Sequence, residues 1–163
     1  MGQVGEGTYG EVHKAQDKET GEIVALKRVR MEKEKEGVPI TAIREIKILK
    51  ALSHDNIVKL KEIVVSAPSE INDNKGSIYM VMEYLDHDLT GLSDNPGIKF
   101  SESQIKLYMK QLLKGIHHCH ANNILHRDIK GSNLLIGRDH TLKVHAQVAR
   151  PRGAIDHPSC CRH

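Results

Sequence analysis

The stretch His126-Arg127-Asp128-Ile129-Lys130-Gly131-Ser132-Asn133 brings three side-chain chemistries close together. Asp128 is a candidate base, Lys130 is a cation two positions on, and Asn133 is an amide whose oxygen can seek a metal. Holding an attacking hydroxyl, neutralising a moving phosphate and fixing a magnesium ion are what phosphoryl transfer from ATP requires. Four positions separate Asp128 from Asn133, the spacing H-R-D-x-x-x-x-N that suits this chemistry.

Two further groups bear on phosphate. Gly5, Gly7 and Gly10 form a G-x-G-x-x-G pattern. A dinucleotide-binding loop would need a helix straight after the glycines. Here Glu11-Val12-His13-Lys14-Ala15 alternates like a strand, and Lys18-Glu19-Thr20-Gly21 is a turn signal. A glycine-rich hairpin fits instead, with backbone N–H groups laid over phosphate oxygens because no Cβ keeps them away. A P-loop is excluded, since no Gly-Lys-Ser/Thr follows. Lys27 lies mid-strand after Val24-Ala25-Leu26, where a lysine ordinarily points to solvent. Its apolar neighbours, and Glu45 on the next helix, point instead to an ammonium–carboxylate pair. His117, His118, His120, His126 and Cys119 cluster, but their spacing closes no tetrahedral zinc set.

These residues need elements to hold them. Residues 23–29 form a second strand that completes the hairpin with 11–15. Ile40, Ile43, Ile46, Leu49 and Leu52 recur every three residues and predict an amphipathic helix from about 39 to 52, opened by Pro39. Residues 57–65 and 77–85 read as two more strands, with Ser66–Gly76 a loop between them. Ser101 with Gln104 makes a capping box. The helix it opens carries Ile105, Met109, Leu112 or Leu113, and Ile116 on its apolar face. Strands, a helix, strands and then a helical part describe an α+β layout with a changeover near 85–90.

Bulk properties narrow the classes. The 163 residues suffice for one ordinary domain with a real core, and 39% hydrophobic with 28% charged residues is globular composition. A net charge of +3 is too small to argue for nucleic acid. The Arg30–Glu36 run alternates in sign and predicts a solvated loop. No window reaches the roughly 18 apolar residues of a membrane span, and no signal peptide is expected. Cys119, Cys160 and Cys161 make no disulfide framework, which favours a reducing intracellular compartment.

Taken together, the glycine loop, the Val-Ala-x-Lys strand, the helix glutamate and HRDxxxxN resemble the eukaryotic protein kinase family. Residues 39–45, PITAIRE, resemble the cyclin-contacting helix of cyclin-dependent kinases. EGTYG at 6–10, EYLDHDLTGL at 83–92 and HRDIKGSNLLI at 126–136 are similar to the transcription-elongation branch, most like the plant C-type enzymes that phosphorylate the RNA polymerase II tail. The similarity covers about residues 2–144. It implies a protein-kinase-like N-lobe over 1–85 (antiparallel sheet plus one helix), an incomplete helical C-lobe over 86–144, and a divergent tail over 145–163 expected to be disordered.

The resemblance also implies roles. Val4, Gly5, Glu6, Gly7, Gly10, Val12, Ala25 and Leu135 would enclose the nucleotide. Glu83 and Leu85 would offer hinge backbone groups, Met82 would be the gatekeeper and Asp88 would lie near the ribose. Lys27 would pair with Glu45. Asp128 would orient a substrate hydroxyl, Lys130 would steady the γ-phosphate and Asn133 would hold one Mg2+. Lys130 looks like the serine/threonine class. Thr8 and Tyr9 resemble inhibitory phosphorylation sites, and Arg44 and Arg127 resemble part of a phosphothreonine-binding cluster. The implied cofactors are ATP and Mg2+. The implied partners are a cyclin, through Pro39 to Glu45, and a protein substrate, with no direct nucleic acid contact and no membrane. The implied location is nuclear, otherwise cytoplasmic.

The chain departs from the family pattern after Val144. Ala146-Gln147-Val148 stands where the family places Asp-Phe-Gly, and the activation segment is absent. Alanine cannot bind magnesium, so a severe loss of activity is expected, together with an exposed apolar face on the second helix. Ala149-Arg150 resembles the family's Ala-Arg offset by one residue, which points to a deletion, frameshift or splice change near 145. Three readings follow: a truncated cyclin-dependent kinase, a non-catalytic cyclin-binding decoy, or the product of a damaged gene copy.

Overall fold

The structure, a computed structural model, describes residues 2–7, 10–29, 40–67 and 76–145, giving the backbone course alone for 2–7, 10, 11 and 41. The glycine segment is itself a strand, β1 (Gly2–Gly7), antiparallel to β2 (Gly10–Gln16), with a register shift between Gln3 and Gly5 that marks a bulge at Val4. The turn into β3 (Ile23–Arg28) closes as its residue types predict. Asp17 Oδ1 accepts the Glu19 and Thr20 N–H groups at 2.8 and 3.2 Å, and Gly21 supplies φ +73°. After α1 (Ile40–Ala51) come β4 (Leu60–Val65) and β5 (Ile78–Glu83). The antiparallel sheet runs β1-β2-β3-β5-β4.

Two corrections arise here. The strand expected over 57–65 begins only at Leu60, because residues 56–58 pair elsewhere: Val58 N–H donates to Val144 O (3.0 Å) and Val144 N–H to Asn56 O (2.9 Å). The apolar row expected on α1 holds at Ile46, Leu49 and Leu52 but not in its first half. Ile40 (59% exposed) and Ile43 (39%) face outward, while Ala42, Ile48, Leu49 and Leu52 are buried with Met80 and Cys119. A strict three-residue spacing slips by about 60° per step around a helix of 3.6 residues per turn. Ile40 and Leu49 therefore lie on opposite sides.

Beyond β5 the chain forms β6 (His87–Asp88), α2 (Leu89–Ser93), α3 (Glu102–Ala121), a 3-10 turn (Gly131–Asn133), β7 (Leu134–Ile136) and β8 (Leu142–Val144). A second antiparallel sheet runs β6-β7-β8. Asp88 Oδ1 caps α2 by accepting Gly91 N–H at 2.9 Å. The capping box of α3 is present in both directions, Gln104 N–H to Ser101 Oγ and Ser101 N–H to Gln104 Oε1. Tyr108, Gly115 and Cys119 form the buried stripe of α3, and Leu112 and Ile116 pack partly beside them. Ile105, Met109 and Leu113 are exposed, so the expected apolar face divides into an inner and an outer stripe. A groove of about 840 Å³ follows the outer stripe. Gly115 permits a close backbone approach: a Cβ there would meet Asn56 O at 2.7 Å and Val144 Cγ2 at 3.2 Å.

The expected solvated loop at 30–36, Pro39, most of the loop over 66–76 and the tail beyond His145 lie outside the described residues. Among the described residues no helix is long and apolar enough to cross a membrane, and no three His, Cys, Asp or Glu side chains are placed to hold a metal.

Candidate active site

Residues 126–133 form the link between α3 and β7, and their backbone is bent to a purpose. Arg127 takes the left-handed φ of +62°, turning the chain between His126 and Asp128. His126 is buried. Its Nδ1 accepts Asp128 N–H at 3.2 Å, so Nε2 carries the proton and donates to His145 O at 3.0 Å. Protonating Nδ1 would break the first bond. Burial chiefly lowers the His126 pKa, against the raising influence of the His145 carbonyl and Asp128.

Asn133 fixes Asp128 from the other side. Its Nδ2 donates to Asp128 O (2.7 Å) and Oδ2 (2.9 Å), which sets the amide's orientation and leaves Oδ1 as the atom able to hold a cation. Lys130 Nζ lies 3.2 Å from Asp128 Oδ2. Burial acts to raise the Asp128 pKa, but hydrogen bonds from Lys130 and Asn133, with the charges of Lys130 and His126, hold it below the ordinary carboxylate range. Asp128 is therefore an ionised acceptor at neutral pH.

Across the fold, Lys27 Nζ meets Glu45 Oε1 at 2.9 Å, with the lysine side chain 7% exposed. Glu45 reaches it because it shares the inward side of α1 with Ala42 and Leu49, about one helical turn either way. His145 connects the two halves. Its N–H donates to Asn133 O (2.9 Å), while the Lys27 charge, after burial itself, helps push its imidazole pKa down to about 3. The four side chains expected to act together form two pairs, Lys27 with Glu45 and Asp128 with Asn133, and His145 is bonded to the second and feels the charge of the first. None of them lines the groove along α3.

The residues expected to enclose the nucleotide are located by strand register. Val12 is paired with Lys27, Ala25 with Met82 and Leu135 with Asp88, and Val12, Ala25, Leu85 and Leu135 are all half-buried. Glu83 N–H donates to Lys59 O at 3.1 Å, so that donor is engaged within the fold. Val4, Gly5, Glu6 and Gly7 lie on β1, and Gly10 opens β2. Arg44 and Arg127 are exposed on separate elements. Thr8, Tyr9 and Ala146 lie outside the described residues. Sequence reasoning missed the side-chain contacts of the linker between the sheets: Lys143 to Glu83, Arg138 to Asp86 and Lys14 to Tyr84. It also missed His126 as the group joining Asp128 to His145.

The protein kinase domain family matches residues 1–145. The chain belongs to the protein kinase family. It is similar to cyclin-dependent kinase C-2 of Oryza sativa subsp. japonica, 62% identical over 151 residues, covering 87% of this chain and 29% of that protein. It is 61% identical to cyclin-dependent kinase C-1 of Arabidopsis thaliana over 150 residues, 87% of this chain and 30% of that protein. It is 54% identical to the probable cyclin-dependent kinase 9 of Schizosaccharomyces pombe over 144 residues, 88% of this chain and 24% of that protein. The chain thus spans under a third of the length of these relatives. The family resemblance and the kinase-like architecture, an antiparallel sheet with one helix followed by a partial helical region, are borne out. Protein kinases as a family use ATP and Mg2+.

Proposed function

We propose that this chain carries the nucleotide and phosphoryl-transfer site of a cyclin-dependent serine/threonine protein kinase, and that its own turnover is very weak. The observation that supports the reading is the Lys27–Glu45 pair together with the Asp128–Asn133 network, to which His145 is bonded through Asn133 O. ATP, when bound, supplies the γ-phosphoryl group. The backbone of β1 and β2 covers the phosphates, and the linker at Glu83 and Leu85 takes the adenine edge. Lys27, held forward by Glu45, meets the phosphate oxygens. Asp128 accepts the hydrogen bond of a serine or threonine hydroxyl and aims its oxygen, and Lys130 offsets charge on the transferring group. Asn133 Oδ1 holds Mg2+. Ala146 has no donor for a second contact to the metal, and a reaction governed by positioning and electrostatics slows severely without it.

Ile40 and Ile43, exposed on α1, are suited to pack against a cyclin. Thr8 and Tyr9, between Gly7 and Gly10 in the sequence, are proposed as regulatory phosphorylation sites, and Arg44 and Arg127 as phosphate-binding groups. By the resemblance, the intact enzyme acts in the nucleus on the RNA polymerase II tail. The same exposed face, together with Ala146, favours a second reading in which the chain binds cyclin without catalysis. Co-purification with a cyclin and measurement of ATP-dependent phosphate transfer decides between them. Cyclin capture with trace transfer supports the first reading, and capture without transfer supports the second. Brisk transfer that disappears in Asp128→Asn contradicts the weak-turnover claim.

A further inference from the structure

The linker between the two sheets, residues 83–86, is held by three cations that come from different elements. Lys143 of β8 reaches Glu83 with Nζ at 2.7 Å from Oε2 and 2.9 Å from Oε1, both side chains about one-fifth exposed. Glu83 Oε1 also accepts Lys59 N–H at 2.7 Å. Lys14 of β2 lies over the Tyr84 ring, 4.3 Å from its centroid. Arg138, in the β7–β8 turn, grips Asp86 with Nε at 2.8 Å and a second nitrogen at 3.3 Å. Arg138 is 85% exposed, so water screens its pair with Asp86. The Lys143–Glu83 contact is the best shielded of the two ion pairs, and the glutamate is shared with the backbone of residue 59 just before β4.

We propose that Lys143 is a positioning residue for nucleotide binding: through the Glu83 carboxylate it ties the end of β5 to β8 and fixes the linker backbone at the mouth between the sheets. A bound adenine would meet the Glu83 and Leu85 backbone, so any freedom at Glu83 weakens binding before a ligand contact is lost. The tie is independent of Lys27, Asp128 and Asn133. This inference rests on the nucleotide reading above for its affinity arm, and on the geometry alone for its exchange arm.

The test uses the full chain, with a fluorescent ATP analogue plus Mg2+ as probe and amide hydrogen exchange of residues 83–86 without nucleotide. Glu83→Gln keeps an oxygen for the residue 59 N–H while removing the charge, and Lys143→Met keeps the aliphatic stem. Each is expected to weaken affinity about fivefold, the scale of a half-buried ion pair. The double variant should be no weaker than either single one, and Lys143→Arg should restore binding. Linker exchange should quicken in Lys143→Met and Glu83→Gln but not in Lys143→Arg. Unchanged affinity and exchange in both charge-removing variants overturns the proposal, as does a double variant whose loss is the product of the two singles. If the unaltered chain takes up no analogue, the nucleotide reading fails and exchange alone decides the tie: quicker exchange supports it and unchanged exchange overturns it.

Discussion

Acidification from about pH 7.5 to pH 5 should destabilise this chain through histidines that the fold keeps neutral. His145 is the extreme case: burial first, then the charges of Lys27 and His126, bring its pKa from 6.5 to about 3. His126 is lowered by burial, and His54 by burial together with His118 and Lys114. In each case the unfolded chain takes the proton more readily than the fold. Stability from these groups is complete above about pH 6.5 and falls as pH drops towards the folded values. For His145 the loss is about 1.4 kcal/mol per pH unit below 6.5, or about 2 kcal/mol at pH 5. Part of its surface remains open to water, so this is an upper figure. Small domains have about 5–15 kcal/mol in total, so the change is readily measured. Urea unfolding followed by far-ultraviolet circular dichroism across this range should show the midpoint falling with acid, and His145→Gln should flatten the slope. A midpoint that stays constant to pH 5, or a His145→Gln slope as steep as the parent's, refutes the reasoning.

Other outcomes follow from particular contacts. Gly115→Ala places a methyl group against the Asn56 carbonyl and should destabilise by about 1–3 kcal/mol, read as a lower thermal midpoint. Ser101→Ala removes one half of the α3 capping box and should cost about 1 kcal/mol in the same assay. The Cys119 thiol is fully enclosed, and burial raises its pKa. In a Cys160→Ser, Cys161→Ser background, thiol labelling should be slow for the native chain and fast in denaturant.

What the sequence disclosed was local or carried by a dense motif. The capping box of α3 spans four residues, and the turn at Asp17–Gly21 is written in its residue types, so both appeared where expected. The contact between Lys27 and Glu45 emerged because a buried lysine needs a nearby anion. The inward face of α1 was misread in its first half because a three-residue spacing passes for helical periodicity over one or two steps and then drifts to the other side. Strands β6, β7 and β8 are two or three residues long, too short for alternation to register. The Glu83–Lys143 pair joins residues sixty positions apart, and no spacing rule connects them. His126 was visible as part of a motif, but its partner is the backbone carbonyl of His145, which has no side-chain signature.

The central claim is that the Lys27–Glu45 pair and the Asp128–Asn133 network form one Mg2+–nucleotide site. Titrating the full chain with a fluorescent ATP analogue, with and without Mg2+, beside Lys27→Met and Asn133→Ala tests it most directly. Saturable, Mg2+-dependent binding is expected, falling at least about tenfold in Lys27→Met and losing its Mg2+ dependence in Asn133→Ala. Absence of saturable binding by a folded chain, or binding indifferent to both substitutions, contradicts it.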